Sequence, residues 1–147
     1  MGTTKWEAPA SISTIFTTEL NSLADGGNQI SSALSNDAAG ELYLYADFEL
    51  YINTTASRAA DARVELYILV ELDGSNYSYG GTSLDPAPSM HVGDFQFDAS
   101  ATATRYAHIR GVLLPPTDFK VLVINELGVA MASSSNTLKW IKYNLQT

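Results

Sequence analysis

The chain has no cysteine among its 147 residues. A disulfide scaffold, a thiolate metal site and a cysteine nucleophile are therefore excluded, and the composition fits a protein that matures in a reducing cytoplasm. Basic residues are scarce, 8 against 16 acidic ones, for a formal net charge of -8. They are scattered and form no patch. Such a surface repels phosphate backbones, so nucleic acid is not an expected partner. Histidine occurs twice, as His91 and His108 in separate segments, without a further ligand at metal spacing. No Gly-x-Ser-x-Gly marks a nucleophile elbow. No apolar run approaches the ~20 residues of a membrane-spanning helix, so no membrane partner is expected. No basic start leads into an apolar stretch as in a signal peptide. Met1-Gly2 opens like a myristoylation motif, but Trp6 stands where that motif wants a small hydroxyl residue.

What is present is alternation. With 46% hydrophobic residues the chain can bury a core. From Glu41 to Ile52, Leu42, Leu44, Ala46, Phe48, Leu50 and Ile52 fall on one face and Tyr43, Tyr45, Asp47, Glu49 and Tyr51 on the other. Successive side chains of a strand point to opposite faces, so this period of two predicts an extended strand. Ala62 to Leu72 repeats the pattern, with Val64, Leu66, Ile68, Val70 and Leu72 inward. Two long half-apolar strands require an opposing layer.

The remaining elements follow from turn residues and shorter alternations. Residues 1–40 are rich in Thr, Ser, Ala and Asn, and read as an N-terminal arm or edge strand; Ser13–Ala24 also admits a short helix. Asp25-Gly-Gly-Asn28 and Asn36–Gly40 are turns. Asp73-Gly74 predicts a tight hairpin with positive φ at both central positions and a short return over Tyr77–Tyr79. Gly80–Pro88 is irregular. Further strands are expected over Met90–Phe97, Ala101–Arg110, Asp118–Asn125 (apolar on both faces, hence central), Val129–Ala132 and Thr137–Tyr143. The expected fold is all-β: an antiparallel two-sheet sandwich of jelly-roll type, residues 41–147, preceded by the arm, in one domain overall.

Asp47 and Glu49 share a face, with Glu65 and Glu71 outward on the expected neighbouring strand. Glycoside hydrolysis uses a carboxylate pair roughly 5 to 10 Å apart, but one member needs a raised pKa in a cleft. Acidic residues alternating on a solvated sheet explain the pattern as well, and no enzyme activity is expected. Asp73-Gly-Ser-Asn76 carries oxygen ligands but lacks the longer acidic loop of a calcium site, so the hairpin reading is preferred and no cofactor is expected. Outward tyrosines on the two long strands make a candidate contact surface, since tyrosine is large, partly polar and cheap to order.

Several segments together carry a resemblance: Phe16-Thr-Thr-Glu-Leu-Asn-Ser-Leu-Ala24 with Asp25-Gly-Gly; Leu44-Tyr-Ala-Asp-Phe-Glu-Leu50; Val64-Glu-Leu-Tyr-Ile-Leu69 leading into Leu72-Asp-Gly-Ser-Asn-Tyr77; Leu114-Pro-Pro-Thr-Asp-Phe-Lys-Val-Leu-Val123; and Ser135-Asn-Thr-Leu138. In this order and spacing they resemble a family of small virion structural proteins of tailed bacteriophages. The resemblance implies a non-enzymatic capsid decoration (cement) protein, made in the host cytoplasm and carried on the capsid surface. It implies the major capsid protein as partner and a homotrimer as assembly. It transfers no catalytic residue. Trp6, Ile12, Ile15 and Phe16 of the arm, with Tyr43, Tyr45, Tyr51 and Tyr67, are the candidate partner contacts. The alternative is a tail- or fibre-associated module that binds host glycans through the outward tyrosines.

Overall fold

The computed structural model describes residues 5–38 and 41–146. Its strands are β1 (Lys5–Trp6), β2 (Ser13–Phe16), β3 (Asn28–Ile30), β4 (Asp37–Ala38), β5 (Glu41–Leu42), β6 (Tyr45–Ile52), β7 (Arg63–Val70), β8 (His91–Gln96), β9 (Arg105–Leu113), β10 (Phe119–Glu126), β11 (Thr137–Tyr143) and β12 (Leu145–Gln146). Eight of them build two four-stranded antiparallel sheets. Sheet I has the order β2-β11-β6-β9 and sheet II the order β3-β10-β7-β8. In chain order these eight fall in sheets I, II, I, II, II, I, II and I. This wrapping of strand pairs between two sheets is the jelly roll that the alternating segments predict. Two-residue ribbons, β1 with β12 and β4 with β5, complete the pairing.

The core lies between the inner faces. Ala46, Phe48, Leu50 and Ile52 of β6 are fully buried, opposite Val64 and Leu66 of β7 and Val121 and Val123 of β10. Trp140 of β11 stacks on Phe48 at 6.0 Å and meets Phe119 edge-on at 5.7 Å. A sequence reading could equally make Trp140 an anchor for a partner; here it is core. β10 is central and buried on both sides, as its apolar run predicts.

Several expectations need correction. β6 starts at Tyr45, and Leu42 and Leu44 are about half exposed, 51% and 49%. The reason is local: Asn36 grips the backbone of Tyr43 through both its amide groups, and Asn144 Oδ1 accepts from Leu44 N–H, so side chains replace the ladder. Leu72 lies beyond the end of β7 and is 85% exposed. Only Gly74 of the Asp73-Gly74 pair has positive φ. The loop is closed instead by Asp73, whose Oδ1 accepts from the N–H of Ser75 and Asn76 at 3.0 and 2.7 Å. Val129–Ala132 is not a strand; Met131 N–H bonds Leu23 O and ties that segment to the turn after β2. Ser13–Ala24 is an edge strand followed by turns and carries no helix. β9 begins at Arg105. β6 and β7 lie in opposite sheets, so Glu65 and Glu71 are not on a strand beside Asp47 and Glu49. Met1-Gly2 and the end of the Asn36–Gly40 turn lie outside the described residues.

The outer faces of the sheets differ. That of sheet II is roofed by the long β7–β8 connection. Tyr67, Leu69, Leu122 and Ile124 form a second apolar cluster there, packed by Tyr77 and Met90 from the connection. Asn28 Nδ2 donates to Gly81 O and Asp85 Oδ1, pinning the roof. Sheet I has no such cover on β6, β9 and β11 among the described residues, and its side chains form the surface described next.

Candidate functional site

Alternation along β6, β9 and β11 fixes what sheet I presents outward. The register places Tyr143, Ile141, Lys139 and Thr137 of β11 beside Tyr45, Asp47, Glu49 and Tyr51 of β6. On the far side, Glu49 faces His108 and Tyr51 faces Tyr106 of β9. Opposite Asp47, between the Ala46–Val112 and Phe48–Ile109 pairs, β9 bulges, and Gly111 adopts φ +68°. A bulge re-aims side chains and is common next to functional surfaces. Here it brings Gly111 N–H to 2.8 Å from Asp47 Oδ1.

Asp47 organises one end of the face. Its Oδ1 also accepts from the Tyr143 hydroxyl at 2.9 Å, and its Oδ2 lies 3.3 Å from Arg110 Nε. Burial, and then the bond to Asp47, raises the Tyr143 phenol above its ordinary value and keeps it a donor. Trp6 lies over this end because β1 pairs with β12. Its ring meets Tyr143 edge-on at 5.1 Å and Tyr45 at 6.5 Å, and those two tyrosines stack at 5.8 Å. Trp6 nevertheless stays 66% exposed. Trp6, Glu7, Pro9, Asp47, Arg110, Gly111, Ile141 and Tyr143 line an open cavity of about 630 Å³. An exposed aromatic platform beside a carboxylate, a guanidinium and a phenol offers stacking together with donors and acceptors.

A smaller hollow of about 150 Å³ adjoins it, sharing Asp47, Arg110 and Ile141 and adding Glu49, His108 and Lys139. There His108 Nε2 lies 3.0 Å from Glu49 Oε2. At the far end Tyr51 packs on Tyr106 at 4.7 Å between ring centroids, and Tyr106 is 63% exposed. A third cavity, about 620 Å³, opens between the sheet edges at β8 and β9 and is lined largely by aliphatic side chains such as Ile68, Val70, Val112 and Leu114. It lacks an aromatic ring apart from His91, which pairs with Asp94 at 2.7 Å. Among the described residues no three His, Asp or Glu side chains gather as a metal site.

The eight candidate contacts from sequence separate. Trp6 and Tyr45 come together at the cavity, and Tyr51 joins the far pair. Ile12 is exposed and lines the small hollow. Ile15 packs against the core, and Phe16 is 1% exposed within it. Tyr43 packs on the core edge, with Lys142 Nζ 5.1 Å from its ring centre. Tyr67 does face outward, but from sheet II and under the roof, where its hydroxyl donates to Glu65 at 2.6 Å. Tyr106, Arg110 and Tyr143 were missed as site residues. Carrying the period of two through Ala101–Arg110 and Thr137–Tyr143 to its outward residues would have found Tyr106 and Tyr143.

Among known proteins, no family model and no curated protein matches the chain. Solved structures that resemble its layout include two carbohydrate-binding modules. The CBM36-1 domain of a multidomain xylanase from the hindgut metagenome of Trinervitermes trinervoides matches at 14% identity and TM-score 0.42, over 97% of this chain and 95% of that one. The carbohydrate-binding module CBM36 in complex with calcium and xylotriose matches at 12% identity and TM-score 0.39, over 92% and 100%. The expected resemblance to phage virion proteins is corrected: these two structures are carbohydrate-binding modules and not virion proteins, and capsid decoration, the capsid-protein partner and the trimer are not carried further. The segments that suggested it are strands and turns of the sandwich.

Proposed function

We propose that the protein is a non-catalytic module that binds glycan on the outer face of sheet I. The observation that carries this reading is the exposed Trp6 ring, propped edge-on by Tyr143 and Tyr45 above a cavity walled by Asp47 and Arg110. A pyranose ring has an apolar face and a rim of hydroxyls. The first suits an indole, and the second suits a carboxylate and a guanidinium held side by side. Tyr45 and Tyr51 remain from the sequence-based glycan surface, while Tyr43 and Tyr67 leave it.

The way the carboxylates are used supports binding without catalysis. Asp47 is committed to Gly111, Tyr143 and Arg110, and Glu49 to His108. Neither is held in an apolar pocket as a general acid requires. The test is affinity electrophoresis through gels containing xylan, glucan or mannan. The intact protein is retarded in at least one gel, and Trp6→Ala loses affinity on the order of tenfold, the value of about one aromatic contact. Equal retardation of the two proteins, or none of either, contradicts the reading.

A further inference from the structure

We infer that the ligand is an extended, uncharged glycan chain lying along β6, held at both ends by aromatic pairs, rather than a terminal sugar held only at Trp6. This deepens the proposed function and rests on it. Four observations carry it. The outer face of sheet I has a second aromatic platform, Tyr51 with the 63% exposed Tyr106. Tyr45 and Tyr51 are six residues apart on one strand, a span of about 20 Å at the rise of a β-strand, which is several sugar rings long. Between them the two hollows share Asp47, Arg110 and Ile141 and run from Trp6 as far as Glu49 and His108, the outward pair next to Tyr51 and Tyr106. Along that path Arg110 and Lys139 stand against Glu7, Asp47 and Glu49, with Asp47 3.3 Å from Arg110 and Glu49 3.0 Å from His108. This strip sets acceptors beside donors, with no more cations than carboxylates. It complements a hydroxylated neutral chain and gives an anionic polymer no excess of cations.

The test is isothermal titration of the parent protein, Tyr106→Ala and Trp6→Ala with linear xylan, glucan and mannan oligosaccharides, from disaccharide to hexasaccharide. Tyr106 is exposed, so its truncation leaves the core intact, and circular dichroism checks that. For the series that binds, affinity rises on the order of tenfold with length, as expected when a second aromatic contact is engaged. Tyr106→Ala removes that rise, whereas Trp6→Ala weakens every length. Affinity independent of length, or a hexasaccharide indifferent to Tyr106→Ala, overturns the inference while leaving glycan binding at Trp6 standing. Failure of all three series to bind overturns both. Sedimentation of the unliganded protein as a dimer that Tyr106→Ala dissociates would give the face to a second copy and also overturn it.

Discussion

At Asp47 one carboxylate serves three partners, so its loss acts on the site and on the fold together. Asp47→Ala releases Arg110 and leaves the Tyr143 hydroxyl and Gly111 N–H without their acceptor. The expected cost is about 2 kcal/mol, against about 1 kcal/mol for Tyr143→Phe, which removes a single bond. The surface ion pair with Arg110 adds little, since that side chain is 80% exposed. Urea midpoints of the two variants check the ranking. Glu65 offers a pH prediction at the same scale. Burial pushes its carboxyl up, but hydrogen bonds from Tyr67 and Arg63 outweigh that and hold it below its ordinary 4.5. A carboxyl lowered by folding contributes stability that is present above 4.5 and is lost as pH falls through the folded value. Glu65→Gln should therefore flatten the acid side of the stability profile below 4.5, measured by urea unfolding at stepped pH. An unchanged acid limb would show that Glu65 does not titrate this way.

Among elements, the β9 bulge sets the geometry of the face. Gly111 sits at φ +68°, and a β-carbon there would find open space, with Tyr143 Oη no nearer than 4.0 Å. Gly111→Ala is strained by its backbone alone, about 1 kcal/mol, yet it should displace the N–H from Asp47 and weaken glycan binding beyond what that loss of stability explains. Titration of the folded variant checks this. A stability loss with unchanged affinity would deny the bulge a role in the site. The elements themselves were largely legible. Thr137–Tyr143, Phe119–Glu126 and Tyr45–Ile52 each carry a local period or apolar run that tertiary structure does not override. Leu42 and Leu44 misled because alternation continues past the point where Asn36, from the preceding turn, and Asn144, from the far end of the chain, take over the backbone. The Trp6 platform was hidden for the same reason. Trp6 was visible as an anchor, but the pairing of β1 with β12 that seats it on Tyr143 joins opposite ends of the chain.

For the molecule as a whole, the proposed function separates stability and recognition between layers. Phe48 is fully buried between the sheets and touches Trp140, so Phe48→Ala should cost about 4 kcal/mol, while Tyr106→Ala stays within about 0.5 kcal/mol of the parent. Differential scanning calorimetry distinguishes these. Roofing of one sheet and exposure of the other makes the molecule one-sided. Its net charge of -8 acts at a distance on charged ligands and hardly at all on a neutral one, so glycan affinity should be insensitive to salt. The most direct measurement uses the two tryptophans, one on each side of this division. Trp6 is 66% exposed at the platform and Trp140 is 6% exposed in the core. In an NMR titration with the oligosaccharide that binds, the Trp6 indole N–H signal should shift while that of Trp140 stays fixed, and backbone shifts should cluster on β6, β9 and β11. Shifts confined to the β7–β8 connection and sheet II, with Trp6 unmoved, would contradict the account.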